Sequence, residues 1–157
     1  TRGFFGGFYP RNDGSLDAIK FSSTGTAVEF GTLFAHYAQS ACSNSVRAIF
    51  AGGTHYPGPG YSSGIQSIIM SSDGIVDDFG ESYNGDMLYA GRGVASQTRG
   101  CITGGSNAKM PASVDEVTTI QYVDLNSGGN AIAFGDMSIP RRNHRGVSDS
   151  HGGLGGY

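Results

Sequence analysis

The sequence predicts an all-β fold built from repeated, four-stranded antiparallel sheets. Three observations lead to this prediction. The chain is rich in glycine, with 27 glycines among 157 residues, its apolar stretches are short and bounded by glycine, and three of its segments align with one another without a gap. No stretch keeps the apolar period of an amphipathic helix over three turns. The absence of a Gly-X-Y period excludes collagen, and 38% hydrophobic residues are too many for a disordered chain.

The clearest repeat is a β-hairpin that occurs three times. The aligned segments are LDAIKFSSTGTAVEFG, IQSIIMSSDGIVDDFG and IQYVDLNSGGNAIAFG, at residues 16–31, 65–80 and 120–135. Each has apolar residues at its first, fourth and sixth positions, then a turn containing Ser and Gly, then a Phe-Gly pair. Because glycine supplies the positive φ of a tight reversal, each segment is predicted to form two strands, which we call c and d.

A second block precedes each hairpin and contributes the strands that we call a and b. The predicted strand b begins with Arg and ends in a Gly-Gly doublet, and a fourth copy near the end of the chain has His in place of Arg. Stretches of small residues at 35–45, 88–97 and 140–150 are predicted as strand a. The doublets end at Gly7, Gly53, Gly105 and Gly156. Four strands in about 50 residues is the period of a kelch-type propeller blade.

The chain is therefore predicted to be a single kelch-like repeat domain spanning residues 1–157. Its repeats lie approximately at 1–34, 35–87 and 88–139, with a partial repeat at 140–157. About three blades per chain leave a propeller open, since closed rings generally take about four to eight. Open strand edges invite uncontrolled pairing, so we expect another chain or a longer array to complete the ring. A homo-oligomer is expected, such as two chains in a ring or many in a filament.

One end of the predicted blades varies between repeats and is the candidate recognition face. The connection from the doublet to strand c lengthens along the chain, and in an up-and-down sheet it lies at the same end as the connection from d to a. Variable loops are where binding residues concentrate. The candidate recognition residues are Phe8, Tyr9, Tyr56, Tyr61 and Met110. The alternative is that Tyr9, Tyr56 and Met110 only fold these loops back over the blade edges.

The sequence indicates no catalytic or metal chemistry. The string from Gly60 to Gly64 matches a nucleophile elbow around Ser62, but it follows a Pro-Gly-Pro segment and precedes a predicted strand rather than a helix. The histidines show no metal-ligand spacing, and no calcium-loop pattern occurs. Cys42 and Cys101 are predicted to be small apolar residues on strands. We therefore predict a protein that is not an enzyme and has no catalytic residues, no cofactor and no metal site.

Charge and hydropathy limit the partners. The net charge is -3 and the ten basic residues are scattered, which is not the dense positive surface that nucleic acid requires. No apolar run approaches the roughly 18 residues of a membrane span, so no membrane insertion is expected. The arginines that open the b blocks, Arg2, Arg47 and Arg99, are predicted to cap carbonyl groups or to pair with an acid of the next blade.

The third repeat carries a resemblance to a known family. Thr98-Arg-Gly with its following Gly-Gly, the segment 120–131 and Phe134-Gly-Asp resemble the kelch-like repeat proteins encoded by tailed bacteriophages, notably those of aquatic and cyanobacterial hosts. The resemblance covers essentially the whole chain. Ordinary kelch propellers include galactose-oxidase-like enzymes, but the Tyr and His residues of this chain lack the pattern of their copper site.

The resemblance implies a non-enzymatic structural protein of a phage virion, in a capsid decoration, tail or fibre. Such a protein would lie on the surface of an extracellular particle and act by contact with other virion proteins and by self-assembly. The alternative is a recognition module that binds a glycan or protein of the host surface through the loops of the variable face.

Overall fold

The structure is a computed structural model that describes residues 1–7, 14–34, 36–55, 60–72, 74–86, 88–107 and 115–149. These residues form seventeen β-strands and one 3₁₀ turn, Tyr83–Gly85, and they contain no α-helix. All strand pairs are antiparallel. The prediction of an all-β chain with antiparallel sheets is confirmed.

The first repeat forms a three-stranded sheet. Its strands are β1 (Arg2–Gly6), β2 (Ser15–Lys20) and β3 (Val28–Thr32). They lie in the order β1-β2-β3 and correspond to the predicted strands b, c and d. Strand β1 is an edge strand, because no strand of the described residues occupies the position of strand a beside it.

The second repeat forms a four-stranded sheet and a smaller one. Its strands are β4 (His36–Tyr37), β5 (Ser40–Ser43), β6 (Arg47–Ala51), β7 (Thr54–His55), β8 (Gly60–Tyr61), β9 (Gly64–Ile69) and β10 (Val76–Glu81). The larger sheet has the order β5-β6-β9-β10, which is the predicted order a, b, c, d. The smaller sheet has the order β4-β7-β8.

The third repeat has the same arrangement. Its strands are β11 (Leu88–Tyr89), β12 (Arg92–Ala95), β13 (Arg99–Thr103), β14 (Ser106–Asn107), β15 (Asp115–Glu116), β16 (Thr119–Asp124) and β17 (Ile132–Asp136). The larger sheet has the order β12-β13-β16-β17 and the smaller one the order β11-β14-β15. None of the sheets formed by the described residues closes on itself.

The two smaller sheets correct the prediction that strands b and c are joined only by loops. At the end of β6 the doublet Gly52-Gly53 has φ angles of 67° and 94°, in the left-handed region that favours glycine. The chain therefore turns sharply, and β7 leaves in a new direction to pair with β4 and β8. Strands of two residues show no alternation of polar and apolar side chains, so the sequence pattern misses them. Their pairing does confirm that the b–c and d–a connections lie at the same end.

A bulge occurs at the same place in all three hairpins. In β2–β3 the register passes from Leu16↔Gly31 to Asp17↔Glu29, which leaves Phe30 unpaired. Phe79 and Phe134 are the unpaired residues of the other two hairpins. A bulge bends its strand and redirects one side chain. The repeat in the sequence is thus a repeat in backbone geometry.

The hydrophobic core lies between the repeats. Side chains alternate along strand β6, so Ile49 and Phe50 point to opposite sides of the sheet. Phe50 packs with residues of the first repeat, in a cluster formed by Leu16, Leu33, Ala48, Phe50 and Ile68. Ile49 packs with the third repeat, in a cluster formed by Ile49, Ala51, Ile65, Phe79, Leu88, Ile102, Val123, Leu125 and Ala131. The second sheet is therefore covered on both faces.

The prediction of a strand at 140–150 is wrong for the described residues 140–149, which form no strand. The backbone nevertheless follows the path of strand a. Asn143 N donates to Ala90 O at 2.9 Å, as Ala90 N donates to Ala38 O at 3.0 Å one repeat earlier. A strand is defined by its pairing, and no described residue occupies the position of a strand b beside this segment.

Candidate assembly surfaces

The repeated arginine joins each repeat to the next. Arg47 Nη1 donates to Leu125 O at 2.8 Å, and its guanidinium lies 5.5 Å from the centroid of the Phe79 ring. Arg2 Nη2 donates to Ser72 O at 3.5 Å and lies over the Phe30 ring. Arg2 and Arg47 therefore cap carbonyl groups, as predicted, and the carbonyl groups belong to the following repeat. For Arg99 the role stays a prediction.

A buried glutamine makes the reciprocal contact. Gln66 Oε1 on β9 accepts a hydrogen bond from Phe34 N at 3.1 Å, and Gln121 Oε1 on β16 accepts one from Tyr83 N at 2.7 Å. In each case the glutamine binds the backbone just after strand d of the preceding repeat. The first repeat has Asp17 at this position, and it is exposed. This contact was not predicted, although Gln is the second residue of each of the last two hairpin segments.

The Phe-Gly pair of one repeat packs against the hairpin turn of the next. A Cβ on Gly80 would lie 2.6 Å from Gly129 O, which only glycine avoids. Gly129 N donates to Phe79 O at 3.1 Å, and Ala131 N donates to Glu81 O at 2.8 Å. Gly31 and Gly74 make the same close backbone approach at the first junction. The Phe-Gly pair and the glycine-containing turn both predicted a hairpin within one repeat. They also contact each other between repeats, the Phe-Gly pair of one repeat against the turn of the next.

A row of backbone hydrogen bonds continues this junction through the connections from d to a. Gly53 N donates to Leu88 O at 2.8 Å, and Gly105 N donates to Arg141 O at 3.0 Å. Three equivalent residues have left-handed backbone conformations, which are unusual for residues with a side chain. They are Ala38, Ala90 and Asn143, with φ of 59°, 59° and 54°. The segment 140–149 therefore repeats the backbone geometry of the preceding repeats.

The outer side of the first sheet is exposed in the part of the chain that the structure describes. We call it the amino-terminal face and define it by Phe5, Asp17, Phe21 and Gly25. Phe21 is 67% exposed, whereas Leu125 at the same position of the third repeat is 1% exposed. Phe5 is 59% exposed, whereas its equivalent Phe50 is 4% exposed. No described atom beyond the chain neighbours lies within 4 Å of a Cβ placed on Gly25.

The outer side of the third sheet is the opposite end. We call it the carboxy-terminal face and define it by Arg99, Tyr122, Phe134 and Gly135. Phe134 is 54% exposed, whereas its equivalent Phe79 is 8% exposed. The Arg99 guanidinium lies 5.0 Å from the centroid of the Tyr122 ring, and Tyr122 meets Phe134 edge to face at 5.9 Å. At the inner junctions the arginine instead lies over the Phe of the Phe-Gly pair, as Arg47 does over Phe79.

Only Tyr61 of the predicted recognition residues is described. Phe8, Tyr9, Tyr56 and Met110 lie outside the described residues, and the alternative that Tyr9, Tyr56 and Met110 cover blade edges also stays a prediction.

Tyr61 on β8 belongs to a cluster of partly buried tyrosines. Its ring centroid lies 6.1 Å from that of Tyr89, which lies 6.1 Å from that of Tyr37, and both pairs meet edge to face. Tyr37 and Tyr89 are equivalent residues, each followed by an Ala with positive φ. The Tyr-Ala dipeptide repeated in the two d–a connections is the sequence signal for this cluster.

The cysteines lie on strands, as predicted. Burial raises the pKa of the Cys42 thiol to about 12, and the neighbouring Cys101 raises it further. Burial also raises the pKa of Cys101. Both thiols therefore stay protonated near neutral pH, which weakens them as nucleophiles.

The surroundings of Ser62 and of the paired histidines do not indicate a catalytic or metal site among the described residues. Gly64 N donates to Ser62 Oγ at 3.0 Å, and Ser62 precedes strand β9 rather than a helix, which agrees with rejecting the nucleophile elbow. His36 and His55 are directly opposite each other in the β4–β7 pair, a proximity that sequence spacing does not indicate. The part of the chain that the structure describes contains no group of three or more His, Cys, Asp or Glu residues arranged to hold a metal ion.

No family model matches the chain, and no curated protein matches it. The resemblance to phage repeat proteins therefore stays a prediction. Within the described ranges, no helix has the length and apolar character needed to cross a membrane.

Proposed function

We propose that the protein is a non-enzymatic structural component of a phage virion that acts through protein–protein contact and self-assembly. One observation carries the assembly part. Both outer faces of the stack of repeats keep, exposed to solvent, side chains that bury themselves at the inner junctions, as Phe134 and Phe79 illustrate. Exposed apolar patches of this kind are typical of interaction sites. The virion location is supported by the resemblance of the repeats alone.

We further propose that the three larger sheets are kelch-like propeller blades. Each complete sheet is an antiparallel meander in the order a, b, c, d, as in a propeller blade. The second and third sheets also pack closely at strand a. A Cβ on Gly93 of β12 would clash with Ala41 O of β5, and one on Gly100 would lie 2.9 Å from Cys42 Sγ. Close packing of strand a is expected where blades converge on a common axis.

Sedimentation and light scattering of the purified chain test self-assembly. We expect species whose masses are multiples of 16.3 kDa and whose size increases with protein concentration. A monomer at every concentration from micromolar to millimolar would contradict the proposal. Immunogold labelling of intact phage particles tests the location, with label expected on the particle surface. Absence of the protein from purified particles would contradict the virion assignment.

A second candidate function is recognition of a host-surface glycan or protein. The cluster of Tyr37, Tyr61 and Tyr89 favours it, because partly exposed tyrosines at the variable end offer flat apolar faces with polar tips. Glycan-array binding by the native chain, by Tyr61→Ala and by the control Tyr122→Ala tests the glycan version. Binding that only Tyr61→Ala abolishes would support it. No binding by the native chain would remove it.

A further inference from the structure

We infer that a pocket between the first and second repeats binds a neutral sugar. We call it the junction pocket and define it by five of its lining residues, Phe34, Tyr61, Gln66, Asp78 and Glu81. The inference rests on the second candidate function, recognition of a glycan, and it names the site and the class of sugar. It does not depend on self-assembly.

The junction pocket lies at the variable end of the sheets, beside β8, the start of β9 and the end of β10. Its volume is about 350 Å³, which falls within the range of about 300–1,000 Å³ that is typical of small-molecule sites. Phe34 comes from the first repeat, and the other lining residues come from the second. The remaining described lining residues are Gly60, Ser62, Ser63, Gly64 and Ile65.

The bulge in β10 brings two carboxylates to the same face of the sheet. Side chains alternate along a regular strand, so residues three apart, such as Asp78 and Glu81, ordinarily lie on opposite faces. The bulge inserts one unpaired residue between them, and they pair with Gln66 and Gly64, which are two apart on β9. Asp78 and Glu81 therefore share a face with Gln66, which also lines the pocket.

Glu81 is held in place from two sides. Ser63 Oγ donates to Glu81 Oε2, and Glu81 N donates to Asn130 Oδ1 at 3.0 Å. Ala131 N donates to Glu81 O at 2.8 Å. A side chain that is already ordered loses little further freedom when a ligand binds. Hydrogen bonds from a hydroxyl group to a carboxylate are among the stronger ones, so Glu81 is a suitable acceptor for a sugar hydroxyl.

Gln66 adds a hydrogen-bond donor to this face. The side chain is 3% exposed, and its Oε1 accepts from Phe34 N at 3.1 Å. Its Nε2 is buried without a hydrogen-bond partner among the described residues. Gln121 Nε2 is in the same situation one repeat later, so the repeat itself holds the amide in this orientation. A buried donor without a partner is unfavourable, and a ligand oxygen that reaches it would relieve this cost.

Two aromatic rings line the pocket together with the carboxylates. Phe34 is 61% exposed, and Tyr61 belongs to the cluster of tyrosines. The C–H groups on one face of a sugar ring pack favourably on an aromatic ring, because the face of the aromatic ring carries partial negative charge. The hydroxyl groups of the same sugar can donate to the carboxylates. A sugar uses both kinds of group, whereas a purely apolar ligand would leave the carboxylates unpaired.

The charge of the pocket favours a neutral sugar over an acidic one. Asp78 and Glu81 are its charged residues, and none of the described lining residues is Lys, Arg or His. A sugar with a carboxylate, sulfate or phosphate group would be repelled. The pair of acids is peculiar to the second hairpin. The equivalent residues are Glu29 and Thr32 in the first repeat and Ala133 and Asp136 in the third.

Two pocket variants and two matched controls test the site on an array of neutral, sialylated and sulfated glycans. Phe34→Ala and Asp78→Asn should each weaken binding of neutral glycans by about tenfold or more, because each removes one recognition group. Phe21→Ala removes a similarly exposed ring, and Asp77→Asn removes the neighbouring exposed carboxylate. Neither control residue lines the pocket, so both controls should bind like the native chain.

The outcomes separate this inference from the candidate function on which it rests. Loss of neutral-glycan binding in both pocket variants, with binding kept in both controls, would support the site. Binding that the pocket variants keep would overturn the site and leave glycan recognition standing. Binding of acidic glycans alone would overturn the class of sugar and also leave recognition standing. A native chain that binds no glycan would overturn both. Thermal unfolding of all four variants checks that each remains folded.

Discussion

Arg47 and Arg99 occupy the same position in successive repeats, but among the described residues Arg47 contacts the following repeat and Arg99 contacts Tyr122 of its own repeat. Its guanidinium is held between the Phe79 ring and the carbonyl of Leu125, and a charge-assisted hydrogen bond of this kind is stronger than a neutral one. The Arg99 guanidinium contacts Tyr122 at the surface. The contribution of each of these arginines to the free energy of unfolding is therefore expected to depend on the repeat in which it lies.

The first prediction compares the two arginines. Arg47→Ala should lower the free energy of unfolding by about 1–3 kcal/mol, because it removes a charge-assisted hydrogen bond and a ring contact. Arg99→Ala should change it by less than about 0.5 kcal/mol in the unassembled chain. Urea unfolding at a dilution that keeps the chains apart measures both. Equal losses for the two variants would show that the contact with Leu125 contributes little.

His144 gives the carboxy-terminal segment a dependence on pH. The Thr103 hydroxyl donates to Arg92 O at 3.1 Å, so the ring N–H at Nε2 donates to Thr103 Oγ1 at 2.8 Å. His144 Nδ1 is buried without a hydrogen-bond partner among the described residues. Burial lowers the pKa of His144, and the charges of Arg92, Arg141 and Arg145 lower it further.

The second prediction follows from the lowered pKa of His144. In the unfolded chain His144 takes up its proton near about pH 6.5, whereas the folded protein takes it up at lower pH. The docking of the segment 140–149 should therefore be complete above about pH 6.5 and weaken as the pH falls below that value. NMR titration of His144, with hydrogen exchange of the segment, measures this. His144→Asn should remove the pH dependence, and a His144 pKa at or above the unfolded value would contradict the prediction.

At the scale of the elements, strand a fixes how closely two sheets pack. Strands β5 and β12 approach so closely at Ala41 and Gly93 that no Cβ fits on Gly93. The hairpins of strands c and d make the second close contact between sheets. There the bulge leaves Phe79 unpaired, and the Phe-Gly pair packs against the turn of the next repeat. Close contacts between repeats therefore occur at both sides of the sheet.

The third prediction tests the packing of strand a. Gly93→Ala should lower the free energy of unfolding by about 1–3 kcal/mol, because the new methyl group meets the Ala41 backbone, which cannot move without displacing β5. Gly64→Ala is the control, since its Cβ would meet only the Ser62 hydroxyl at 3.3 Å. Urea unfolding of both variants measures the difference. A Gly93→Ala protein as stable as the control would mean that the sheets separate easily.

At the scale of the whole molecule, the two core clusters of the described residues join the first repeat to the second and the second to the third. The second sheet is covered on both faces, whereas the first and third sheets each have one open face. In such an array the stability of a repeat is the sum of its own contribution and that of its junctions. The first and third repeats are therefore expected to unfold locally more readily than the second repeat.

The fourth prediction concerns the difference in stability between the second repeat and the two outer repeats. Amides of β9 should exchange with solvent more slowly than those of β2 and β16 in the unassembled chain, because the second repeat has two junctions. Hydrogen exchange followed by mass spectrometry measures all three strands in one experiment. Assembly should slow β2 and β16 and leave β9 nearly unchanged. Uniform protection in the unassembled chain would indicate that the three repeats open as one unit.

Much of the fold is predictable from local patterns. Strands c and d of each hairpin follow from alternation and from a glycine-containing turn, and these interactions involve residues close in the chain. The short strands β7 and β14 have two residues each and carry no pattern of their own. They form only because the doublets redirect the chain and because partners from the d–a connection arrive beside them.

The sequence by itself determined the period, the hairpins, the order of strands in each sheet and the arginine at each junction. Only the tertiary structure decided which aromatic rings are buried and which are exposed. Phe79 and Phe134 have the same local sequence, a Phe-Gly pair, but Phe79 packs beside the hairpin turn of the third repeat, whereas Phe134 is 54% exposed among the described residues. Burial depends on residues about 50 positions away in the chain, so no local propensity contains it.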